Sequence, residues 1–213
     1  MPTDKIYKIA TKRNNLFLRV MKGHFASANS HSNYYIDITL QKSRLSEAKA
    51  VAEELVSYYS INTIVDTILC LDGTEVIGTC LADELTKEHF MNMNAHRAIY
   101  VLTPERTAGS QFIFRDRTVN MINGKHVLIL SASVTTGHTA KSAIEAITYY
   151  GGYVAGVAAI FATADSVNGY KVESVFNPND LKEYVSAQSH SCPMCRNGEK
   201  LDALINSFGY SKI

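Results

Sequence analysis

The stretch Val127-Leu128-Ile129-Leu130-Ser131-Ala132-Ser133-Val134-Thr135-Thr136-Gly137-His138-Thr139 decides the fold. Val127 to Leu130 is a short apolar run of the kind a strand shows when both of its faces are covered. Thr139 to Tyr150 then carries Ala140, Ala143, Ile144 and Ile147 on one face at helical spacing, Gly151-Gly152 closes that helix, and Tyr153 to Phe161 returns as a strand. Between strand and helix, the first backbone amides of the helix have no partner and carry partial positive charge. Gly137 lets the backbone approach a ligand, and Thr135, Thr136 and Thr139 offer hydroxyl donors. These are the parts of an anion cradle. The competing reading is that the hydroxyls only cap the helix.

Upstream the same order repeats. Leu45, Ala48, Ala52, Leu55, Val56 and Tyr59 predict a helix over 45–59 behind Ser43 as cap, and Ile64 to Leu71 reads as a buried strand. After the Asp72-Gly73 turn a helix over 75–88 turns Val76, Ile77, Cys80, Leu81 and Leu85 inward, and Ala98 to Leu102 is a strand. Strand, helix, strand in repetition implies an α/β fold, a mainly parallel twisted sheet flanked by helices. Residues 103–124 read as a long loop or small hairpin around Phe112-Ile113-Phe114, with Thr103 to Ser110 polar. Asn168-Gly169 predicts a late hairpin with Tyr170 to Phe176 as its second strand. Leu201, Leu204, Ile205 and Phe208 predict a short terminal helix.

Composition narrows the classes of function. Of 213 residues, 46% are apolar and 19% charged, enough for a sizeable core in a single domain. A formal charge of +1 provides no overall field for nucleic acid or an anionic membrane. No apolar run approaches the ~20 residues needed to span a bilayer. Met1 to Lys5 lack the apolar core of a secretory signal, so a cytoplasmic protein is expected. Four cysteines are too sparse for a disulfide scaffold.

Strand, a variable pair, Val134-Thr135-Thr136-Gly137-His138-Thr139, helix, Gly-Gly and strand resembles the phosphoribosyl pyrophosphate motif of type I phosphoribosyltransferases. Gly23-His24-Phe25 and Ser30-His31-Ser32-Asn33-Tyr34-Tyr35-Ile36-Asp37 are similar to the N-terminal segment of the orotate phosphoribosyltransferases. The resemblance covers about residues 20–165. It implies a core over about 43–165 with a small hood from about 1–42 and 166–213. It further implies that Val134 to Thr139 hold the 5-phosphate of the ribose, that Asp72, Gly73, Thr74 and Glu75 lie by the pyrophosphate, and that Tyr34 and Tyr35 lie near the base. The catalytic loop would fall at about 103–118, with Arg106, Arg115 and Arg117 as its cations. The partners implied are phosphoribosyl pyrophosphate or a nucleotide, a small base, Mg²⁺, and a second copy of the chain in a homodimer.

The sequence also departs from the family. Active members carry two adjacent acids before the phosphate loop, where this chain has Ser131 and Ala132, leaving Asp72 and Glu75 as substitute carboxylates for Mg²⁺. The loop lacks the Lys-x-His-Gly pattern of the orotate enzymes, and Phe161-Ala162-Thr163-Ala164-Asp165 has no Arg for the orotate carboxylate. Two readings therefore compete. One is a phosphoribosyltransferase with a degenerate acidic motif. The other is a non-catalytic protein of the same fold that binds a phosphosugar or nucleotide and reports its level.

His138 is either a phosphate-binding cation or an exposed loop side chain, and Tyr34 and Tyr35 either stack a base or pack in a strand. Cys192 and Cys195 have the C-x-x-C spacing with which two thiolates grip Zn²⁺, with His190 as a third candidate ligand. A redox pair and a plain reduced turn are the alternatives.

Overall fold

The computed structural model describes residues 6–10, 16–88, 91–95, 98–109 and 111–213. Met1 to Lys5, where a secretory signal would begin, and Ser110 of the polar segment lie outside the described residues. In chain order the elements are β1 (Tyr7–Ala10), β2 (Phe17–Ala26), β3 (His31–Asp37), α1 (Thr39–Ser43), α2 (Leu45–Tyr59), β4 (Thr67–Cys70), α3 (Glu75–Thr86), β5 (Tyr100–Leu102), β6 (Glu105–Arg106), β7 (Phe112–Ile113), α4 (Asp116–Val119), β8 (His126–Val134), α5 (His138–Tyr149), β9 (Tyr153–Ala162), β10 (Ser166–Val167), β11 (Tyr170–Phe176), β12 (Ser186–Ala187), α6 (Pro193–Arg196), β13 (Ala203–Asn206) and β14 (Gly209–Lys212). They form two compact units, Gln41–Val175 and a smaller one in which residues up to Leu40 join Phe176–Ile213.

The larger unit is built on a sheet of order β10-β11-β9-β8-β4-β5. Its β5, β4, β8 and β9 run parallel, which meets the α/β expectation. All four residues of β4 are buried, as a strand covered on both faces requires. On one side α5 places Ala140, Ala143, Ile144 and Ile147 into a cluster with Val127, Ile129, Val157 and Ala159. Each of the larger aliphatic side chains buried there contributes roughly 1.5–3 kcal/mol of hydrophobic stabilisation. On α2, the buried Tyr59 hydroxyl donates to the Val157 carbonyl at 3.0 Å and so fixes that helix to β9.

Local differences from the sequence reading have physical causes. Ser43 does not cap α2, because it closes the short helix α1; the N-cap is Arg44, without a side-chain bond. On α3 Ile77, Leu81 and Leu85 are buried as expected, but Val76 is exposed. The polar segment after β5 is a hairpin, with Glu105 opposite Ile113 and Arg106 opposite Phe112. Asn168 and Gly169 both take positive φ, 50° and 83°, in the two-residue turn between β10 and β11.

The smaller unit is a sheet of order β12-β3-β2-β13-β14, with β1 also on β2. One cluster of its buried apolar residues is Met21, Phe25, Tyr35 and Ala203, with Ile205 packed against them. The expected terminal helix is instead the β13–β14 hairpin, in which Ile205 faces Tyr210 and Asn206 faces Gly209. The apolar residues fit a two-residue period better than a helical one: Ala203 and Ile205 turn toward the core, while Leu204 and Phe208 are 54% and 95% exposed.

Candidate active site

β8 continues past the expected Leu130 to Val134, and α5 begins at His138, so Thr135, Thr136 and Gly137 form the whole turn. Gly137 is the N-cap of α5, with φ 76°, and no side chain caps the helix. The reading that Thr and Ser serve as caps therefore fails, and the helix N-terminus keeps its anion-binding character. A Cβ at 137 would stand 2.8 Å from Val167 Cγ2 in a backbone conformation that L side chains rarely adopt, so glycine is required twice over. The turn is braced by the residue just after β9: Thr163 N donates to Val134 O at 2.9 Å, and Thr163 Oγ1 donates to Thr135 O at 3.1 Å. Val134 is buried and presents only backbone, whereas Thr136 and His138 are exposed at the rim and Thr139 is half-buried.

The neighbouring turn follows β4, which pairs with β8 from Thr67–Val127 through Cys70–Leu130. Both turns thus leave the C-terminal ends of adjacent parallel strands, where open α/β sheets bind ligands. Asp72 and Gly73 take φ 57° and 81°, which folds the chain back over the strand end. Asp72 Oδ2 accepts from Ser131 Oγ at 2.9 Å, so a carboxylate stands beside Ser131, one of the two positions where the resemblance calls for acids. Ser131 and Ala132 are 1% and 3% exposed. Sequence reasoning missed Lys42, whose Nζ donates to the Asp72 carbonyl at 2.8 Å. It lies 30 residues away on α1 in no motif, and nothing in the sequence marks it.

Not every residue of this turn is available to a ligand. Thr74 is buried and its hydroxyl donates to Leu71 O and Leu130 O, so its side chain holds the turn. Glu75 opens α3 and its Oε1 accepts from Thr103 Oγ1 at 2.9 Å, which ties α3 to the start of the hairpin segment.

The three arginines of the hairpin segment are exposed and have separate partners. Arg106 lies over the Phe112 ring, 4.9 Å from its centre. Arg115 makes a forked ion pair with Glu105, at 2.7 and 2.6 Å, which partly neutralises it in this conformation. Arg117 sits in the last turn of α4. Phe112 and Phe114 root the hairpin in the α5 core, and Phe114 meets Tyr150 edge-on at 5.2 Å.

No family model matches the chain. It is 26% identical over 187 residues to the orotate phosphoribosyltransferase of Chlorobaculum parvum, covering 86% of this chain and 88% of that one. Among solved structures it superposes on the UMP synthase of Leishmania donovani with a TM-score of 0.53 at 21% identity, over 75% of this chain but only 34% of that longer one. It superposes on the orotate phosphoribosyltransferase of Mycobacterium tuberculosis, solved with phosphoribosyl pyrophosphate, with a TM-score of 0.50 at 19% identity, over 70% of this chain and 83% of that one. The fold is that of the type I phosphoribosyltransferases.

In this phosphoribosyltransferase fold the two turns just described belong to the larger unit, whereas Tyr34 and Tyr35 belong to the smaller one. Both tyrosines are buried. The Tyr34 hydroxyl donates to Lys182 O at 2.9 Å and its ring stacks on Tyr184. Tyr35 packs between Phe25 and Tyr210, and burial with the nearby Asp37 pushes its pKa up to about 12. Both have packing roles within their own unit.

The cysteine motif needs a correction. Cys192 and Cys195 do meet histidines, but these are His24 and His31 from β2 and β3, and His190 has no place in the group. The four ligand atoms lie within 4.8 Å of one another. His190 lies in a short 3₁₀ turn, Ser189–Ser191, just before the first cysteine. No second ligand pair lies near the cysteines in the sequence, because the histidines that contact them are 164 to 171 residues away on paired strands. In sequence His24 and His31 only flank the aromatic stretch, which suggests a place along the pocket and no link to the cysteines.

Proposed function

We propose that this chain transfers ribose 5-phosphate from phosphoribosyl pyrophosphate to a nitrogenous base and releases pyrophosphate. The observation that carries the reading is the pair of turns at the ends of β4 and β8: an uncapped helix N-terminus behind a left-handed Gly137, next to a turn with Asp72 against Ser131. In the reaction the base nitrogen bonds to ribose C1 as the bond from C1 to the pyrophosphate oxygen breaks; that electron pair leaves with pyrophosphate, and the proton the nitrogen carried is released to pyrophosphate or water. The backbone of Thr135 to Thr139, with the Thr135, Thr136 and Thr139 hydroxyls, would hold the 5-phosphate. Gly73 and Lys42 would face the pyrophosphate, and Arg106 and Arg117 would meet charge developing on it as the hairpin closes.

The donor set at the second turn fits Mg²⁺, a hard cation that takes one or two carboxylates beside substrate oxygens. Asp72 is the residue that would hold it, Ser131 orienting the carboxylate by its hydrogen bond. When bound there, Mg²⁺ supplies positive charge to the leaving pyrophosphate. The name shared by the curated relatives points to orotate as the base, and we infer a cytoplasmic homodimer, the commonest oligomer.

Incubation of the full chain with phosphoribosyl pyrophosphate, Mg²⁺ and a panel of bases that includes orotate and adenine tests the proposal. Mg²⁺-dependent pyrophosphate release with one base is the expected result. Tight binding of phosphoribosyl pyrophosphate without turnover of any base would overturn catalysis, and the phosphosugar-binding reading, which the absence of acids at Ser131 and Ala132 favours, would replace it. Light scattering that gives the mass of one chain would remove the homodimer.

A further inference from the structure

We propose that His24 Nε2, His31 Nδ1, Cys192 Sγ and Cys195 Sγ bind one Zn²⁺ in a closed tetrahedral site that staples the N-terminal strands of the smaller unit to its C-terminal segment. The distances carry the argument. With Zn–N of about 2.0–2.1 Å and Zn–S of about 2.3 Å, a tetrahedron sets two nitrogens about 3.3 Å apart and nitrogen and sulfur about 3.6 Å apart. The two ring nitrogens are 3.1 Å apart, and the sulfur–nitrogen pairs are 3.5 Å for Cys192 with His24, 3.6 Å for Cys195 with His24 and 3.3 Å for Cys195 with His31. Four of the six separations among these atoms, which come from three separate stretches of chain, thus lie within about 0.3 Å of the values the ion imposes, and all six are within 4.8 Å.

The surroundings orient the ligands as a metal site requires. His24 Nδ1 lies 3.0 Å from the Glu199 carbonyl, an acceptor only, so Nδ1 carries the proton and Nε2 keeps its lone pair for the cluster. The register of β2 against β3 shifts between Lys22 and Phe25, and this irregularity re-aims His24. At Gly23 a Cβ would come within 2.7 Å of Asp202 Oδ2, which accepts from His24 N at 2.8 Å, while Asp202 N returns a bond to His24 O. The cysteine knuckle is closed in the same way: Arg196 N donates to Cys192 O and Glu199 N to Met194 O, with Gly198 at φ 75° completing the turn.

Chemistry selects the ion. Two thiolates and two neutral imidazoles around Zn²⁺ sum to zero charge, which suits a group whose His24 and Cys192 are buried. The set contains no oxygen, so Mg²⁺ is excluded from it. Four protein ligands leave no open position, so the site is structural and not catalytic. It also has a structural purpose, since among the described residues no disulfide joins the two chain segments of this unit.

The test uses the full chain carrying no polyhistidine tag. Elemental analysis of the purified protein is expected to give one zinc per chain, and the stripped protein titrated with Co²⁺ should develop the d–d and thiolate charge-transfer absorption of a tetrahedral sulfur–nitrogen site. Cys195→Ser and His31→Ala should each lose the bound metal, whereas His190→Ala should keep one per chain. Cys195 is exposed, so its substitution leaves folding of the core intact, and the Co²⁺ titration of unmodified protein stands even if a variant does not fold. Absence of zinc together with a featureless Co²⁺ spectrum would overturn the site, as would equal metal loss in His190→Ala and Cys195→Ser. Neither readout depends on phosphoribosyl pyrophosphate, so this proposal and the proposed transfer stand or fall separately.

Discussion

Val134 to Thr139 offers a ligand the backbone of consecutive residues, whereas His24, His31, Cys192 and Cys195 offer four side-chain atoms gathered from the two ends of the chain. The first arrangement is set by local geometry: one strand, one left-handed glycine, one helix. The second exists only after β2 and β3 have paired and β13 has joined β2 in parallel at Ala203–Phe25. A backbone site tolerates side-chain changes and fails on backbone changes. A side-chain site behaves in the opposite way.

The sharpest way to break that contrast is Gly137→Ala. It adds about 1–2 kcal/mol of left-handed backbone strain and also forces a clash with Val167, so the amides cannot keep their present direction. Misdirecting two or more amides, each worth about 1.5–3 kcal/mol as a hydrogen bond to a charged phosphate, should weaken binding of phosphoribosyl pyrophosphate by at least about 100-fold. Calorimetry measures it. Zinc content should stay at one per chain, and loss of both together would mean that the two sites are not separate devices.

Removal of the metal is the converse. A cross-link between distant segments stabilises by about 2–4 kcal/mol in the manner of a disulfide. At roughly 2–4 °C per kcal/mol for a chain of this size, chelation should lower the melting temperature by roughly 5–15 °C. Added Zn²⁺ should restore it. An unchanged melting curve after proven stripping would leave the cluster without a stabilising role.

Asp72→Asn sharpens the comparison within the larger unit, because its turn works through one side chain as well as its backbone. The amide keeps the shape and can still accept from Ser131 Oγ, but it removes the carboxylate offered to Mg²⁺. Loss of one charged contact, worth about 1.5–3 kcal/mol, predicts at least about a 10-fold weaker Mg²⁺-dependent binding of phosphoribosyl pyrophosphate, with the metal-independent part unchanged. Equal loss with and without Mg²⁺ would assign Asp72 to holding the turn.

The same contrast explains what could be read from sequence. The strand–turn–helix around Gly137 was legible because its residues are contiguous: Val127 to Leu130 marks the strand, Gly137 the turn, and Ala140, Ala143, Ile144 and Ile147 the helix face. Asp72 stands out in the sequence as a candidate carboxylate, but its bond to Ser131 depends on the β4–β8 pairing, which no local pattern encodes. Lys42 was invisible for the same reason. At the C-terminus Leu201, Leu204, Ile205 and Phe208 match a helical period by coincidence. Sheet pairing at Ala203 and the turn before Gly209 override it. His190 looked like a ligand because it is near the cysteines in sequence, while the histidines that meet them come from strands whose pairing had to be seen.

The smallest expected effect is the one that tests whether the phosphate loop is a backbone device at all. Thr163→Val is nearly isosteric and removes a single hydrogen bond, Thr163 Oγ1 to Thr135 O. The main-chain brace from Thr163 N to Val134 O at 2.9 Å remains, and so do the left-handed Gly137 and the helix behind it. Thr163 and Thr135 are half-buried, so water can replace the lost donor and the cost should lie near the lower end of about 0.5–1.5 kcal/mol. Calorimetry should therefore give only about a 2- to 4-fold weaker binding of phosphoribosyl pyrophosphate, by the usual conversion of free energy to affinity. A loss approaching that of Gly137→Ala would mean that side-chain bonds, and not the strand–glycine–helix geometry, hold the amides in place, and the distinction between the two sites would collapse.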